Sequence, residues 1–368
     1  VFSRLNMNSP TIRRGAEDEE RSMAAQKSKV TIFDVAKASG VSSSAVSYAL
    51  NGKPGVSEAT RAKVLEVARE LGWKPNGAAQ SLAQSKTRRI GLVLGYDPQL
   101  LAVEPYMMSL ISGLGAELER KDYSLLVRMS MDHDDEDAII EDWIATSNVD
   151  AMLLLNLEIG DDRIETMKQN PQMPVLAVAD ASLTAGLPTL ASDDAAAVGL
   201  AVRHLYDLGH RSIARVAGPE ELGHSYIRDA AFSEATTELG IRYRCLHTDY
   251  TPASGAGATR RLLSVNPRPT AIIYDNDVMA LAGESVAAVL GVHVPSELSI
   301  MSWDDSFMCE AAHPGITALN RDIVRSGHMA ASLMLKLIDG EDVGVVEEPP
   351  YVLKVRESTG PAPADRQA

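Results

Sequence analysis

The sequence predicts an all-α helix-turn-helix head followed by a bilobed α/β body of two doubly wound parallel sheets. Three observations carry this. Val35, Ala36, Val41, Val46 and Leu50 are spaced to pack two short helices across a tight turn at Gly40. From Arg89 the pattern becomes continuous apolar strands alternating with amphipathic helices, the mark of a parallel sheet covered on both faces. After Leu190 the same alternation restarts, so the body has two such halves.

The 368 residues suffice for about two to three hydrophobic cores. No apolar run approaches the roughly 18 residues that span a bilayer. The N-terminus lacks the apolar core and small-residue cleavage pattern of a secretory signal, so a cytoplasmic location is expected. Cys245 and Cys309 are far apart and have no metal-type spacing. They read as ordinary buried thiols suited to a reducing compartment, and no metal or cofactor is expected. The net charge of −15 is unevenly placed: Lys27 to Arg89 holds 11 Lys and Arg against 4 Asp and Glu. A basic head on an acidic body is the footprint of a chain in which one domain alone meets phosphate.

In chain order, residues 1–28 mix Asn, Ser, Pro, Arg and Glu without periodicity and are expected to be a disordered extension. The head spans 29–75. Thr31-x-x-Asp34 gives its first helix a capping-box start. The second helix leaves Ser42, Ser43, Ser44, Ser47 and Tyr48 exposed; small hydroxyls let phosphates and base edges approach closely. A third helix is expected over 57–71, with Ser57 as N-cap, Val64, Leu65, Val67, Ala68 and Leu71 as its buried stripe, and Gly72 as its stop.

At these residues the chain resembles the lactose-repressor/galactose-repressor (LacI/GalR) family of bacterial transcription regulators. The matching residues are Thr31 with Asp34-Val35-Ala36, Gly40-Val41-Ser42, Val46-Ser47, Leu50-Asn51, Val56-Ser57, Thr60-Arg61, Gly72 with Pro75-Asn76, and Ala79 with Leu82-Ala83. The resemblance runs through almost all of residues 30–359. It implies that Thr31, Ser42, Ser47, Asn51, Ser57 and Thr60 contact operator phosphates, and that Ser43, Ser44 and Tyr48 read bases. Relatives often carry Arg where Tyr48 stands, so the bidentate guanine contact of an Arg is lost here.

It further implies a hinge helix and linker over 76–88, with Asn76, Ala79 and Leu82 at the operator. A helix under about 12 residues is marginal alone. Two hinges, one per subunit of a homodimer, would fold only when packed in the minor groove of a near-palindromic site, with Leu82 wedged between bases. Gly77 weakens that helix further, by about 1 kcal/mol against Ala.

The body spans 89–359 and, by the resemblance, is periplasmic-binding-protein-like. Strands are expected over 90–94, 124–129, 151–156, 175–178, 213–217, 245–248, 271–274 and 298–303, with helices between them. The family adds three crossovers between lobes, near Ser192, Asn320 and Val345. Lobe one is then about 89–191 and 320–344, and lobe two about 192–319 and 345–359. The 360–368 tail has no leucine heptad and is expected to be flexible, which favours a dimer over a coiled-coil tetramer.

Ligands of such sheets sit outside the carboxyl ends of the strands. By resemblance Arg228, Asn276 and Asp304 would hydrogen-bond a polar ligand there, while Tyr106 and Tyr250 stack on its apolar face. That chemistry suits a sugar, whose adjacent hydroxyls need planar polar partners and whose CH face needs a ring. Arg321 stands where many relatives carry Gln, and implies either an acidic ligand or a salt bridge. The acidic run after His133 reads as a helix start. Gly113-x-Gly115 is no dinucleotide fingerprint, and His210 and His224 have no triad partners. The expected function is therefore a ligand-responsive, DNA-binding regulator without enzymatic activity, a repressor of carbohydrate genes released by a small sugar. A sugar-binding module without a DNA role, or a co-repressor-dependent regulator of another pathway, are the alternatives.

Overall fold

A computed structural model of the chain describes residues 30–74, 86–95, 98–130 and 133–364. The chain divides into two compact units between Gln84 and Ser85. The first unit holds three helices among its described residues: α1 (Ile32–Ser39), α2 (Ser43–Leu50) and α3 (Glu58–Glu70). Each begins at a hydroxyl N-cap. Thr31 and Asp34 form a reciprocal capping box, Ser42 accepts the Ala45 N–H at 3.2 Å, and Ser57 accepts the Thr60 N–H at 3.2 Å. Gly40 adopts φ 69°, where an L side chain would be strained, and so turns α1 into α2. Val35, Ala36, Val46, Ala49, Val64 and Ala68 form the core. The buried stripe of α3 is narrower than expected: Leu65 and Leu71 are exposed, because three short helices bury only the side facing their common axis. The expected hinge residues Asn76, Ala79 and Leu82, and the 1–28 extension, lie outside the described residues.

The second unit carries two six-stranded sheets. In lobe one, β1 (Arg89–Gly95), β2 (Ser124–Ser130), β3 (Ala151–Leu154), β4 (Val175–Val178), β5 (Thr189–Ala191) and β11 (Val345–Glu347) lie in the order β11-β5-β4-β3-β1-β2, all parallel. In lobe two, β6 (Ser212–Ala217), β7 (Arg242–His247), β8 (Ala271–Tyr274), β9 (Ser299–Trp303), β10 (Thr317–Asn320) and β12 (Val352–Lys354) lie in the order β12-β10-β9-β8-β6-β7; only β12 is antiparallel. In both lobes the first strand sits inside, between the second and the third. The chain therefore reverses its winding beside β1 and again beside β6, and a crevice opens at the carboxyl ends of those strands.

Lobe one is closed by two helices from distant parts of the chain, α5 (Pro105–Glu119) and α13 (Ile323–Ile338). They cross at Gly113 and Gly327, where a Cβ on Gly113 would lie 2.0 Å from the Val324 carbonyl oxygen. Close helix packing is thus what Gly113 provides. Short α4 (Pro98–Leu101), then α6 (His133–Thr146) and α7 (Asp162–Gln169), complete this lobe; α8 (Asp194–Asp207), α9 (Gly223–Glu238), α10 (Pro252–Ser264), α11 (Asp277–Val289) and α12 (Phe307–Ala311) belong to the other. No helix among the described residues is long and apolar enough to cross a membrane.

Two expectations need correction. Val345 still pairs with Thr189 in the lobe-one sheet, so the third crossover falls after Glu347. The tail is not free at its start: Gly360 N–H donates to Ser299 Oγ at 3.1 Å and Ala362 N–H to the Leu208 carbonyl at 2.8 Å. Buried His210, held neutral by desolvation that pushes its pKa down to about 4, ties the Gly360 carbonyl to Ser299.

Candidate functional site

The head presents a hydroxyl-rich surface. Thr31, Ser42, Ser44, Tyr48, Asn51 and Ser57 are exposed; Ser43, Ser47 and Thr60 are half-buried. Thr31, Ser42 and Ser57 are also the N-caps of the three helices. A phosphate brought to any of them meets the positive end of a helix dipole as well as a hydroxyl. Asn51 differs, since its side-chain N–H donates to the Ser47 carbonyl at 2.9 Å and closes α2. Arg61 donates to the Ala49 and Lys53 carbonyls at 3.1 and 3.0 Å, fixing the loop after α2.

In the second unit a cleft of about 640 Å³ lies between the lobes. Tyr106, Arg228, Tyr250, Asn276, Asp304 and Arg321 all line it. The lobes also touch beside the cleft: Gly223 N–H donates to the Leu157 carbonyl at 2.8 Å, and Glu158 pairs with Leu222 as an antiparallel bridge.

The Arg228 guanidinium stacks 3.8 Å from the Trp303 ring centroid, donates to Asp194 Oδ2 at 3.2 Å and sits 3.7 Å from Asp275 Oδ2. It is a fixed donor, held by two carboxylates and an indole. Asp275 is itself gripped by buried Arg215, from Nε at 2.7 Å and Nη2 at 2.5 Å. Burial works against ionising Asp194 and Asp275. Arg228 beside the first, and Arg215 beside the second, nevertheless hold both below the ordinary carboxylate range. Asn276 caps α11 by accepting the Met279 N–H at 2.9 Å and donates to the Tyr250 carbonyl at 3.0 Å, so its role is at least partly architectural. Tyr250, at φ 66°, packs on Gly218 and exchanges a 2.7 Å hydrogen bond with His224. Burial, then Arg228, keeps His224 neutral by lowering its pKa to about 4.

Arg321 makes a salt bridge. Its Nη1 lies 2.7 Å from Glu348 Oε2, and its guanidinium rests between the rings of Tyr106 (5.4 Å) and Tyr351 (5.1 Å). The cation is therefore matched before any ligand arrives, and one face of Tyr106 is taken. Residues of all three crossovers meet here: Tyr351 also donates to Asp194 Oδ1 at 3.0 Å. Two lining carboxyls behave differently from the rest. Burial, with Asp304 as the next contribution, pushes Glu104 up to about 7; burial also raises Asp304 to about 6, against the pull of Arg321 and Arg228. Sequence reasoning did not name Glu104, Asp194, Asp275 or Tyr351, and weighed His224 only as a triad member. Asp275 directly follows the expected strand 271–274 and could have been found; Asp194 follows β5, a strand that was not expected, and Glu104 precedes Pro105 in a connecting stretch with no such signal.

Residues 31–76 match the bacterial regulatory proteins of the lacI family, and residues 202–359 match the periplasmic binding protein-like domain. Catabolite control protein A of Priestia megaterium is 30% identical over 336 residues, covering 90% of this chain and 99% of that protein. The chain belongs to the LacI family. Among solved LacI-family structures, a transcriptional regulator from Bifidobacterium animalis subsp. lactis is 75% identical over 75% of this chain and 99% of its own, with TM-score 0.71. The complex of the regulator CelR with cellobiose is 28% identical over 89% of this chain and 99% of its own, with TM-score 0.67. The lac repressor dimer bound to operator and an anti-inducer is 25% identical over 90% of this chain and 99% of its own, with TM-score 0.81. The homologues of this LacI-family chain are transcription regulators, with a helix-turn-helix head and a bilobed body as described above.

Proposed function

We propose that this LacI-family chain represses carbohydrate-utilisation genes as a cytoplasmic homodimer on a near-palindromic operator, and that a neutral sugar bound between the lobes releases it. The observation that carries the sugar reading is the charge balance of the cleft. Arg163 is matched by Glu136 and Asp161, Arg228 by Asp194 and Asp275, and Arg321 by Glu348. Asp180, Glu221, Asp249 and Asp304 also line the wall. An anionic or phosphorylated effector would meet repulsion there. A polyol, which donates hydroxyl protons to carboxylates and accepts from Arg228, would not. The likeness to the cellobiose complex of CelR supports the same class.

Six cleft residues, Tyr106, Arg228, Tyr250, Asn276, Asp304 and Arg321, hold or frame the effector. In the head, Ser43, Ser44 and Tyr48 face the bases while the capped helix starts take phosphates. Dimerisation is favoured by the lac repressor likeness and by exposed Val127 and Met129 on edge strand β2, an apolar edge that calls for cover. Closure of the lobes around sugar then shifts the operator equilibrium by a coupling of about 1–3 kcal/mol.

The test is to select operators from random duplexes with the full chain, then follow binding by fluorescence anisotropy while titrating neutral mono- and disaccharides. The reading expects a 5–150-fold loss of operator affinity with one sugar class. Absence of sequence-specific binding at low salt would refute the regulator reading, and a response only to anionic sugars would refute the sugar class.

A further inference from the structure

A second cluster of chemical groups lies in lobe two on edge strand β7. Cys245 and His247 are two residues apart on this strand, so both side chains leave the same face. Helix α9 packs over that face and brings Asp229 between them. Cys245 Sγ lies 3.7 Å from Asp229 Oδ1 and 4.0 Å from His247 Nε2, and His247 Nε2 lies 2.9 Å from Asp229 Oδ2. A tetrahedral ion bound by thiolate, imidazole and carboxylate at about 2.0–2.3 Å needs those donor atoms about 3.3–3.6 Å apart. The Cys245–His247 separation is within about 0.5 Å of that need. Asp229 meets the sulfur with Oδ1 and the nitrogen with Oδ2, and with one ligand atom taken from each residue all three lie within 4.8 Å of one another, so the side chains draw together to hold an ion. We infer that Asp229, Cys245 and His247 form one face of a tetrahedral site for a divalent cation of the zinc type, with the fourth position open to water.

The hydrogen bonding around the cluster fits this assignment, while burial disfavours the free Cys245 thiolate, so its proton leaves only as an ion binds. Arg215 donates to Asp229 Oδ1, which orients the carboxylate and leaves Oδ2 toward His247. Such outer hydrogen bonds position metal-ligating carboxylates. The Arg215 charge does not repel a cation unopposed, because Asp275 grips the same guanidinium through both oxygens. Once the thiol gives up its proton, the cluster carries two negative charges against the two positive charges of the ion. That proton goes to solvent, so binding strengthens as pH rises. His247 is exposed and Cys245 half-buried, which gives an ion a path from solvent. Thiolate and imidazole together select zinc or cobalt over magnesium or calcium. Among the described residues this is the group of histidine, cysteine and acid side chains whose ligand atoms converge.

The test titrates Co²⁺ into the reduced, tag-free full chain and then displaces it with Zn²⁺. The expected result is tetrahedral cobalt absorption with a thiolate-to-cobalt charge-transfer band. Cys245→Ser should abolish that band, and His247→Ala and Asp229→Asn should each weaken Zn²⁺ binding at least tenfold. Buried Cys309 stays in place throughout, so it cannot account for a lost band. If Cys245→Ser fails to fold by circular dichroism, the exposed His247→Ala decides through Zn²⁺ affinity. A band retained in Cys245→Ser, equal Zn²⁺ affinity in His247→Ala and the parent, or no binding of either ion by the folded parent overturns the inference.

Discussion

Replacing Glu104 by Gln isolates the electrostatics of the cleft. Glu104 caps α5 by accepting the Tyr106 N–H at Oε1, 3.0 Å away, and a Gln carbonyl can keep that bond. What the substitution removes is ionisation. Burial and the Asp304 carboxylate raise the Glu104 pKa from 4.5 to about 7. Below pH 4.5 the carboxyl is protonated in both the folded and the unfolded chain. Between 4.5 and 7 the folded chain retains a proton that the unfolded chain has lost, so stability falls as pH rises and the loss is complete above 7. A shift of that size corresponds to about 3 kcal/mol. Urea unfolding should therefore put Glu104→Gln ahead of the parent by only about 1 kcal/mol at pH 5 and by about 3 kcal/mol at pH 8. A difference that stays constant from pH 5 to 8 would refute the reasoning, since a purely steric effect has no pH dependence.

Three further outcomes follow from single contacts. Gly223→Val should hold the lobes apart, because its Cβ would sit 2.5 Å from Leu183 Cδ1 and 2.8 Å from the Leu157 oxygen; small-angle scattering should show a more open body, and calorimetry at least tenfold weaker sugar binding. Gly113→Ala drives a methyl into the Val324 carbonyl at 2.0 Å, and should cost about 3 kcal/mol in thermal unfolding of lobe one. Ser42→Ala removes the N-cap of α2, worth about 1 kcal/mol; it should weaken selected and random duplexes alike, because the lost group is expected on a phosphate.

The long elements were legible because their periodicity is a burial signal. The strands at 175–178 and 271–274 match expectation residue for residue, both being continuous apolar runs. Strand β7 was only half seen. Its Arg242-Tyr243-Arg244 start alternates with charge because the strand lies at the sheet edge. Strands β5, β10, β11 and β12 span three or four residues, and their pairing is decided by neighbours far along the chain. The same reason separates what was found in the cleft from what was not. All six expected residues line it: Tyr250, Asn276 and Asp304 follow strands that are readable in sequence, whereas Tyr106, Arg228 and Arg321 came from the family resemblance. The balancing of Arg321 by Glu348, across 27 residues, and the meeting of Asp229 with Cys245, across 16, exist only once the chain has folded.

Linkage between the effector cleft and the DNA-reading head is the claim on which the proposed function depends, and it can be measured from the ligand side. The selected sugar is titrated calorimetrically into the free protein and into its operator complex. Reciprocity requires its Kd to be weaker in the complex by the same factor, about 5–150-fold, by which it weakens operator binding. Equal Kd values in the two titrations would contradict the account.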